Sequence, residues 1–248
     1  VTEEQVLAAL GQLAGGWTTP APELPAVPPP AAPEASAVYF HDMPGAAQSV
    51  CNLGMPGPSR DTADYYAITV MNHILGGLFQ SRLNHLIREV KGWSYGVGSD
   101  FSFGRGPGAF GAGGGIVTAK TDSALIEFMS ELRGVQGGRP FTADEIKQGK
   151  ESLVQGLPAR FATVNGTAGA ISSIFVQGLP ETYYQDYAAK INAVTSEDLV
   201  RVAKKYIDLE KINLVIVGDR AKIEAPLRAT GIAPIIVLDI EGKPVVTP

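Results

Sequence analysis

Residues Asn72 to Ser99 read NHILGGLFQSRLNHLIREVKGWSYGVGS, and the rest of the chain is best understood outward from this stretch. An apolar run ends at Gly76-Gly77, a pair that interrupts a helix because glycine loses the most backbone freedom on folding. A second helix is expected beyond it, with Leu83, Leu86, Ile87 and Val90 spaced as one buried face. Arg88 falls near the end of that helix, a turn through Gly92 follows, and Tyr95 is expected at the head of a strand. A guanidinium fork and a phenol aimed at one place can hold a peptide carbonyl or stabilise an oxyanion. From spacing alone, however, the plainer account of the two is a helix-end arginine and a sheet tyrosine.

On either side of this stretch the pattern is continuous. Val38-Tyr39-Phe40 and Gln48 to Leu53 read as strands joined by a Met43-Pro44-Gly45 turn, and residues 61–75 and 79–90 as helices. Ser94 to Phe103 and Ala109 to Val117 are expected to form a hairpin around a glycine-rich turn. Helices are expected near 121–135, 142–156, 163–177, 182–192 and 195–207. The first of these repeats Leu125, Phe128, Met129, Leu132 and Val135, and the second opens on the capping box Thr142-Ala143-Asp144-Glu145. Lys211 to Val217 is a strand ending at Gly218-Asp219, and Pro234 to Leu238 adds a short one. Strands and helices come in groups and not as regular βαβ units. The expected fold class is therefore α+β, a two-layer sandwich with helices on one face of a largely antiparallel sheet.

The front of the chain has a different character. Thr2-Glu3-Glu4-Gln5 is a capping box opening a short helix with Val6, Leu7, Leu10 and Leu13, stopped by Gly15-Gly16. Pro20, Pro22, Pro25, Pro28, Pro29, Pro30 and Pro33 then forbid helix and interior strand and favour an extended connector. The expected division is residues 1–17 as the tail of a preceding domain, 18–36 as a proline-rich linker and 37–248 as one domain. The chain starts at Val1 inside a helical pattern, without initiator methionine or secretory signal, as expected of a fragment of a longer precursor.

Composition narrows the function. With 45% hydrophobic and 18% charged residues, the chain has an ordinary globular interior. Its net charge of −5 and the lack of a lysine-arginine stripe argue against nucleic acid as a partner. No apolar run approaches the length of a membrane span. The lone Cys51 excludes an intramolecular disulfide and a multi-thiolate zinc site, and its place in a strand marks it as a small buried residue. His41, His73 and His85 stand far apart, outside HExxH or HxxEH, so no metal ligands are assigned in this chain. His73, beside Met71, Ile74 and Leu75, reads as a packing residue, and His85 as a solvated one. Gly104-Arg105-Gly106-Pro107-Gly108 lacks the lysine and hydroxyl of a phosphate loop, and Gly113 in a strand signals close backbone approach. No Gly-x-Ser-x-Gly elbow is present.

One resemblance covers nearly the whole chain. Pro44 to Ser49, Asp64-Tyr65-Tyr66, Leu75-Gly76-Gly77-Leu78-Phe79-Gln80-Ser81-Arg82-Leu83, Leu86 to Gly92 and Ser94-Tyr95-Gly96 recur in order. Gly178-Leu179-Pro180, Ile191 to Thr195 and Val217-Gly218-Asp219 extend the match. Together these segments resemble the C-terminal half of the insulinase/pitrilysin family of zinc metallopeptidases, which includes the mitochondrial processing peptidase.

In that family two homologous halves enclose a peptide chamber, and the N-terminal half carries an inverted HxxEH zinc motif. The resemblance implies that this chain is the non-catalytic, substrate-contacting half of a zinc endopeptidase and is inactive alone. Arg88 and Tyr95, seven residues apart, match a family pair. By resemblance they contact substrate backbone and support the tetrahedral intermediate beside a zinc held by the other half. The implied partners are an HxxEH-bearing half or subunit and a peptide, with self-association of the isolated half also expected. The first helix and connector resemble the end of the catalytic half and the linker leaving it. The alternative is a structural subunit like the core proteins of the cytochrome bc1 complex, which resemble the same fold. The intact Arg88 and Tyr95 favour the peptidase reading. The residues leave location open; bacterial relatives are often periplasmic.

Overall fold

The computed structural model of the chain describes residues 1–20, 28, 30, 31 and 33–245. Of the expected linker, Pro22, Pro25 and Pro29 lie outside the described residues.

The alternation that makes a half-covered sheet is clearest in two early strands. In β1 (Val38–Asp42) Val38 and Phe40 are buried, and in β2 (Gln48–Gly57) Ser49, Cys51 and Leu53 are buried while Gln48, Val50 and Asn52 face outward. They join β3 (Val97–Ser102), β4 (Gly108–Val117), β5 (Asn213–Gly218) and β6 (Ile235–Leu238) in one six-stranded sheet of order β3-β4-β2-β5-β1-β6. Pairings β3-β4, β4-β2 and β2-β5 are antiparallel, while β1 runs parallel to both β5 and β6. The sheet is thus largely antiparallel, as expected, with a parallel corner. Pro56 is tolerated because β5 pairs with β2 only as far as Gly54, leaving the proline on an unpaired flank.

The helical layer starts with α1 (Glu3–Ala14), which buries none of its residues. Next come α2 (Tyr65–Asn72), widening into a π turn at His73–Gly77, and α3 (Arg82–Asn84), widening likewise at His85–Val90. Then follow α4 (Thr121–Arg133), α5 (Ala143–Gly156), α6 (Val164–Gln177), α7 (Tyr183–Ala193), α8 (Ser196–Tyr206) and α9 (Arg220–Ala229). The expected capping boxes of Thr2 and Thr142 form, and Thr195 with Asp198 makes a third at the start of α8. Ile68, Met71 and Leu75 meet Leu83, Ile87, Leu125, Phe128, Leu132, Leu199 and Val202 over the buried face of the sheet in a single core.

Several boundaries differ from the sequence expectation, each for a local reason. The helix ahead of Gly76-Gly77 starts at Tyr65 and runs through both glycines as a π turn, the break coming at extended Leu78. Gly76 is required there, since a Cβ would sit 2.2 Å from the Ser99 backbone nitrogen. The next helix begins at Arg82, three residues later than expected, because Ser81 is still extended. β3 begins at Val97, so Tyr95 precedes the strand. Helix α9 was not expected at all, because Pro226 lies within it. It is held by an Arg220–Glu224–Arg228 ladder one turn apart and by burial of Ile223 and Leu227.

Both flanks of the sheet are partly covered. On β3 the Val97 N–H donates to Asn84 Oδ1 at 3.0 Å, and the Ser99 carbonyl accepts from Asn72 Nδ2 at 3.1 Å. On β6 the Val237 carbonyl accepts from the Val245 N–H at 2.8 Å, beside a bridge between Leu238 and Pro244.

Candidate peptide-contacting site

Arg88 sits in the π turn that ends the second helical segment. That turn closes where Gly92 adopts φ +65°, with the Gly92 N–H donating to Arg88 O and the Trp93 N–H to Ile87 O, each at 3.0 Å. The chain then crosses to β4. The Val117 N–H donates to Trp93 O at 2.9 Å, and Ser94 Oγ donates to Gly115 O at 2.6 Å while accepting from the Gly96 N–H at 3.0 Å. These bonds pin a short turn whose outermost side chain, Tyr95, is 89% exposed.

Arg88 and Tyr95, the two residues singled out in the sequence, therefore line one recess of about 350 Å³. Gln48, Glu89, Ser94 and Val117 share its walls. The Arg88 guanidinium lies over the Phe79 ring, 4.3 Å from its centre, and its Nε is 3.3 Å from Glu89 Oε1. Among the described residues neither of its terminal nitrogens has a hydrogen-bond partner. The recess thus offers a planar fork on an aromatic platform, a phenol and a carboxamide, all able to donate to a carbonyl oxygen.

Asn84, one turn before Arg88, organises these parts. It is buried, donates from Nδ2 to the Phe79 carbonyl at 2.6 Å and accepts the Val97 N–H through Oδ1. One side chain thereby fixes both the Phe79 platform and the start of the strand that follows Tyr95. On the neighbouring turn, Arg82 grips Glu145 through Nε and a terminal nitrogen at 2.6 and 2.7 Å and also donates to Arg139 O and Pro140 O. Burial raises the Glu145 pKa, but the Arg82 and Thr142 hydrogen bonds outweigh it and hold the group at about 2.

The three histidines remain apart: His41 Nδ1 lies 3.2 Å from Asp239 O, His73 Nε2 lies 3.1 Å from Ser152 Oγ, and His85 is exposed. Burial lowers the pKa of His73, consistent with a neutral packed ring. Among the described residues no group of three or more His, Cys, Asp or Glu is placed to hold a metal ion, so the donor set does not fit zinc. Cys51 is fully buried, which pushes its thiol up to about 12 and rules it out as a ready nucleophile. The glycine-rich stretch forms the β3–β4 turn, and a Cβ on Gly113 would lie 2.0 Å from Cys51 O, the close approach expected of it. Among the described residues no helix is long and apolar enough to cross a membrane.

Gln48, Ser94 and Val117 had no signal in the sequence as site residues. They depend on strand register, which sets Gln48 opposite Val117. In the sequence Phe79 carries no signal of its own beyond its place in the shared segment. Its sign is physical: it is 65% exposed although large and aromatic.

Comparison with known proteins identifies the family of the domain. The Peptidase M16 inactive domain family matches residues 1–153. The chain is 31% identical over 170 residues to an uncharacterized zinc protease of Streptomyces coelicolor, covering 67% of this chain and 36% of that protein. It is 23% identical over 176 residues to the non-peptidase homolog YmxG of Helicobacter pylori, covering 71% of this chain and 40% of that protein. The matched segment thus covers 36% and 40% of the two relatives' lengths. The fold matches a crystal structure described as a peptidase M16 inactive domain from Pseudomonas fluorescens, with TM-score 0.78 at 23% identity over 88% of this chain and 52% of that one. The chain belongs to the M16 peptidase family, the insulinase/pitrilysin group, and the part of the family it carries is the inactive, non-catalytic domain.

Proposed function

We propose that this domain is the substrate-contacting half of a zinc-dependent endopeptidase, closing over a peptide together with an HxxEH-bearing half or subunit that holds the zinc. The observation that carries this reading is that Arg88 and Tyr95 line one recess, with the terminal guanidinium nitrogens unclaimed among the described residues. Two such donors bind a peptide carbonyl and hold it more strongly as negative charge develops on its oxygen. Residues 1–17 are assigned to the tail of the catalytic half, 18–36 to the linker and 37–248 to this domain; the full exposure of α1 fits a helix whose packing partner lies elsewhere. The residues bear zinc-dependent chemistry only through that partner, and the chain alone is expected to cleave nothing.

The test is peptidase activity after mixing the chain with an HxxEH-bearing half and zinc, comparing wild type, Arg88→Ala and Tyr95→Phe. Loss of one positioned donor is expected to lower kcat by about 10²-fold or more, with folding unchanged. Turnover that neither substitution alters removes the site assignment. The second reading is a structural subunit with no role in proteolysis, favoured by the similarity to a protein named as a non-peptidase homolog. Under it, the chain supports assembly while activity is indifferent to Arg88 and Tyr95.

A further inference from the structure

Phe79, whose ring lies against the Arg88 guanidinium, also lines a second cavity. It has a volume of about 330 Å³ and is walled by Ile74, Leu78, Phe79, Gln148, Gly149 and Ser152, with the Arg82–Glu145 pair at one end. Ile74, Leu78 and Phe79 supply its apolar wall, and Gln80, Gln148 and Ser152 line the rest with uncharged polar groups. Glycine at position 149 keeps the α5 wall flush, since a Cβ there would lie 2.5 Å from Ile74 Cγ1.

The charges at its end are already satisfied. Arg82 donates to both Glu145 oxygens and to two backbone carbonyls, and Glu145 also accepts from the Thr142 N–H at 2.7 Å. With the Glu145 pKa at about 2, the pair stays ionised and closed at neutral pH. A cationic side chain entering the cavity would meet Arg82 and an anionic one Glu145, neither with a free counter-charge. An uncharged apolar side chain loses nothing there and gains burial.

Phe79 joins this cavity to the Arg88 recess. One ring lines the cavity and lies over the guanidinium, and its backbone is fixed by Asn84. We infer that the cavity between the Leu78–Ser81 loop and α5 is a specificity subsite taking one large apolar side chain of the peptide whose backbone is held at Arg88 and Tyr95. The inference rests on the proposed peptide-contacting role and adds to it a preference for leucine- or phenylalanine-sized side chains.

The test uses the whole chain and blocked pentapeptides, acetyl-Gly-Gly-X-Gly-Gly-amide with X as Phe, Leu, Lys, Asp or Gly, titrated by NMR of the labelled protein. The Phe and Leu peptides are expected to bind at least about tenfold more tightly than the Gly peptide, with shifts at Gly149 and Ser152. Lys and Asp are expected to give no gain over Gly. Gln148→Trp, on the wall that α5 contributes, is expected to fill the cavity and abolish the Phe preference. Arg88→Ala is expected to weaken all five peptides alike. Equal binding of Phe and Gly peptides to wild type, a preference that survives Gln148→Trp, or no binding of any peptide overturns the subsite. A Phe preference removed by Gln148→Trp but with Arg88→Ala silent keeps the subsite and sinks the Arg88 reading instead.

Discussion

Replacing Asn84 by alanine removes two hydrogen bonds from a buried position, the donation to Phe79 O at 2.6 Å and the acceptance from the Val97 N–H at 3.0 Å. A buried hydrogen bond contributes about 1 kcal/mol net, and a buried donor left without a partner costs about 1–3 kcal/mol. The Phe79 residue is largely exposed, so its carbonyl is open to replacement by water, whereas the Val97 amide is buried against the helices. The expected loss is therefore about 2–4 kcal/mol, most of it from the Val97 side. Urea unfolding monitored by circular dichroism measures it as a lower midpoint at unchanged slope. Asn84→Asp separates the two bonds: it keeps the acceptor for Val97 but loses the donor to Phe79 O. Hydrogen exchange adds a local readout, since the Val97 amide should exchange much faster in Asn84→Ala and stay protected in Asn84→Asp. A loss below about 1 kcal/mol in Asn84→Ala, with Val97 still protected, would refute the claim that this side chain ties the platform to the strand.

Other outcomes follow from the same geometry. Asp64 accepts from Arg201, Lys205 and Tyr206 at 2.6, 2.8 and 2.8 Å, and although burial raises its pKa, these bonds outweigh it and hold the group at about 2. Like Glu145, it titrates lower in the folded than in the unfolded chain. The stabilisation is thus complete above the ordinary carboxylate range and lost as pH falls from about 5 toward 2, roughly 2–4 kcal/mol for the two after allowing for the exposure of Arg201 and Lys205. Denaturation midpoints across that range check the sign. Gly76→Ala places a Cβ 2.2 Å from the Ser99 nitrogen and should cost more than about 3 kcal/mol, measured by thermal unfolding. Tyr95→Phe removes a hydroxyl from a side chain that is 89% exposed and should shift stability by less than about 0.5 kcal/mol in the same assay. Cys51 should resist alkylation by iodoacetamide in the native chain and react in urea, as a buried thiol titrating near 12 requires.

The fold was legible where periodicity and turn chemistry agree. The alternation in β2, the helical stripe of α4 and the threonine caps of α5 and α8 each point one way at short range. Helix α9 was hidden because Pro226 opposes it locally, and only tertiary burial of Ile223 and Leu227 with the Glu224 ladder outweighs the proline. At the site, Arg88 and Tyr95 stood out through the shared segment that contains them. Their neighbours Gln48 and Val117 come from distant strands and meet through a register that no local pattern encodes. Asn84 was invisible for a related reason, since an asparagine in a helical stretch reveals its role only when the backbone groups it serves are placed around it.

The partly covered flanks of the sheet bear on how the molecule meets other chains. Asn72 and Asn84 take up outward backbone groups of β3, and the segment at Pro244 and Val245 lies along β6. A neighbour trying to continue the sheet sideways must first displace side-chain amides that are already satisfied, or peel away a paired segment. Lateral growth into fibrils is therefore disfavoured even though Val50, Val117 and Val215 leave apolar surface on the open face. Contacts between this chain and another are steered toward broadside stacking, where side chains and not the backbone decide which partners fit.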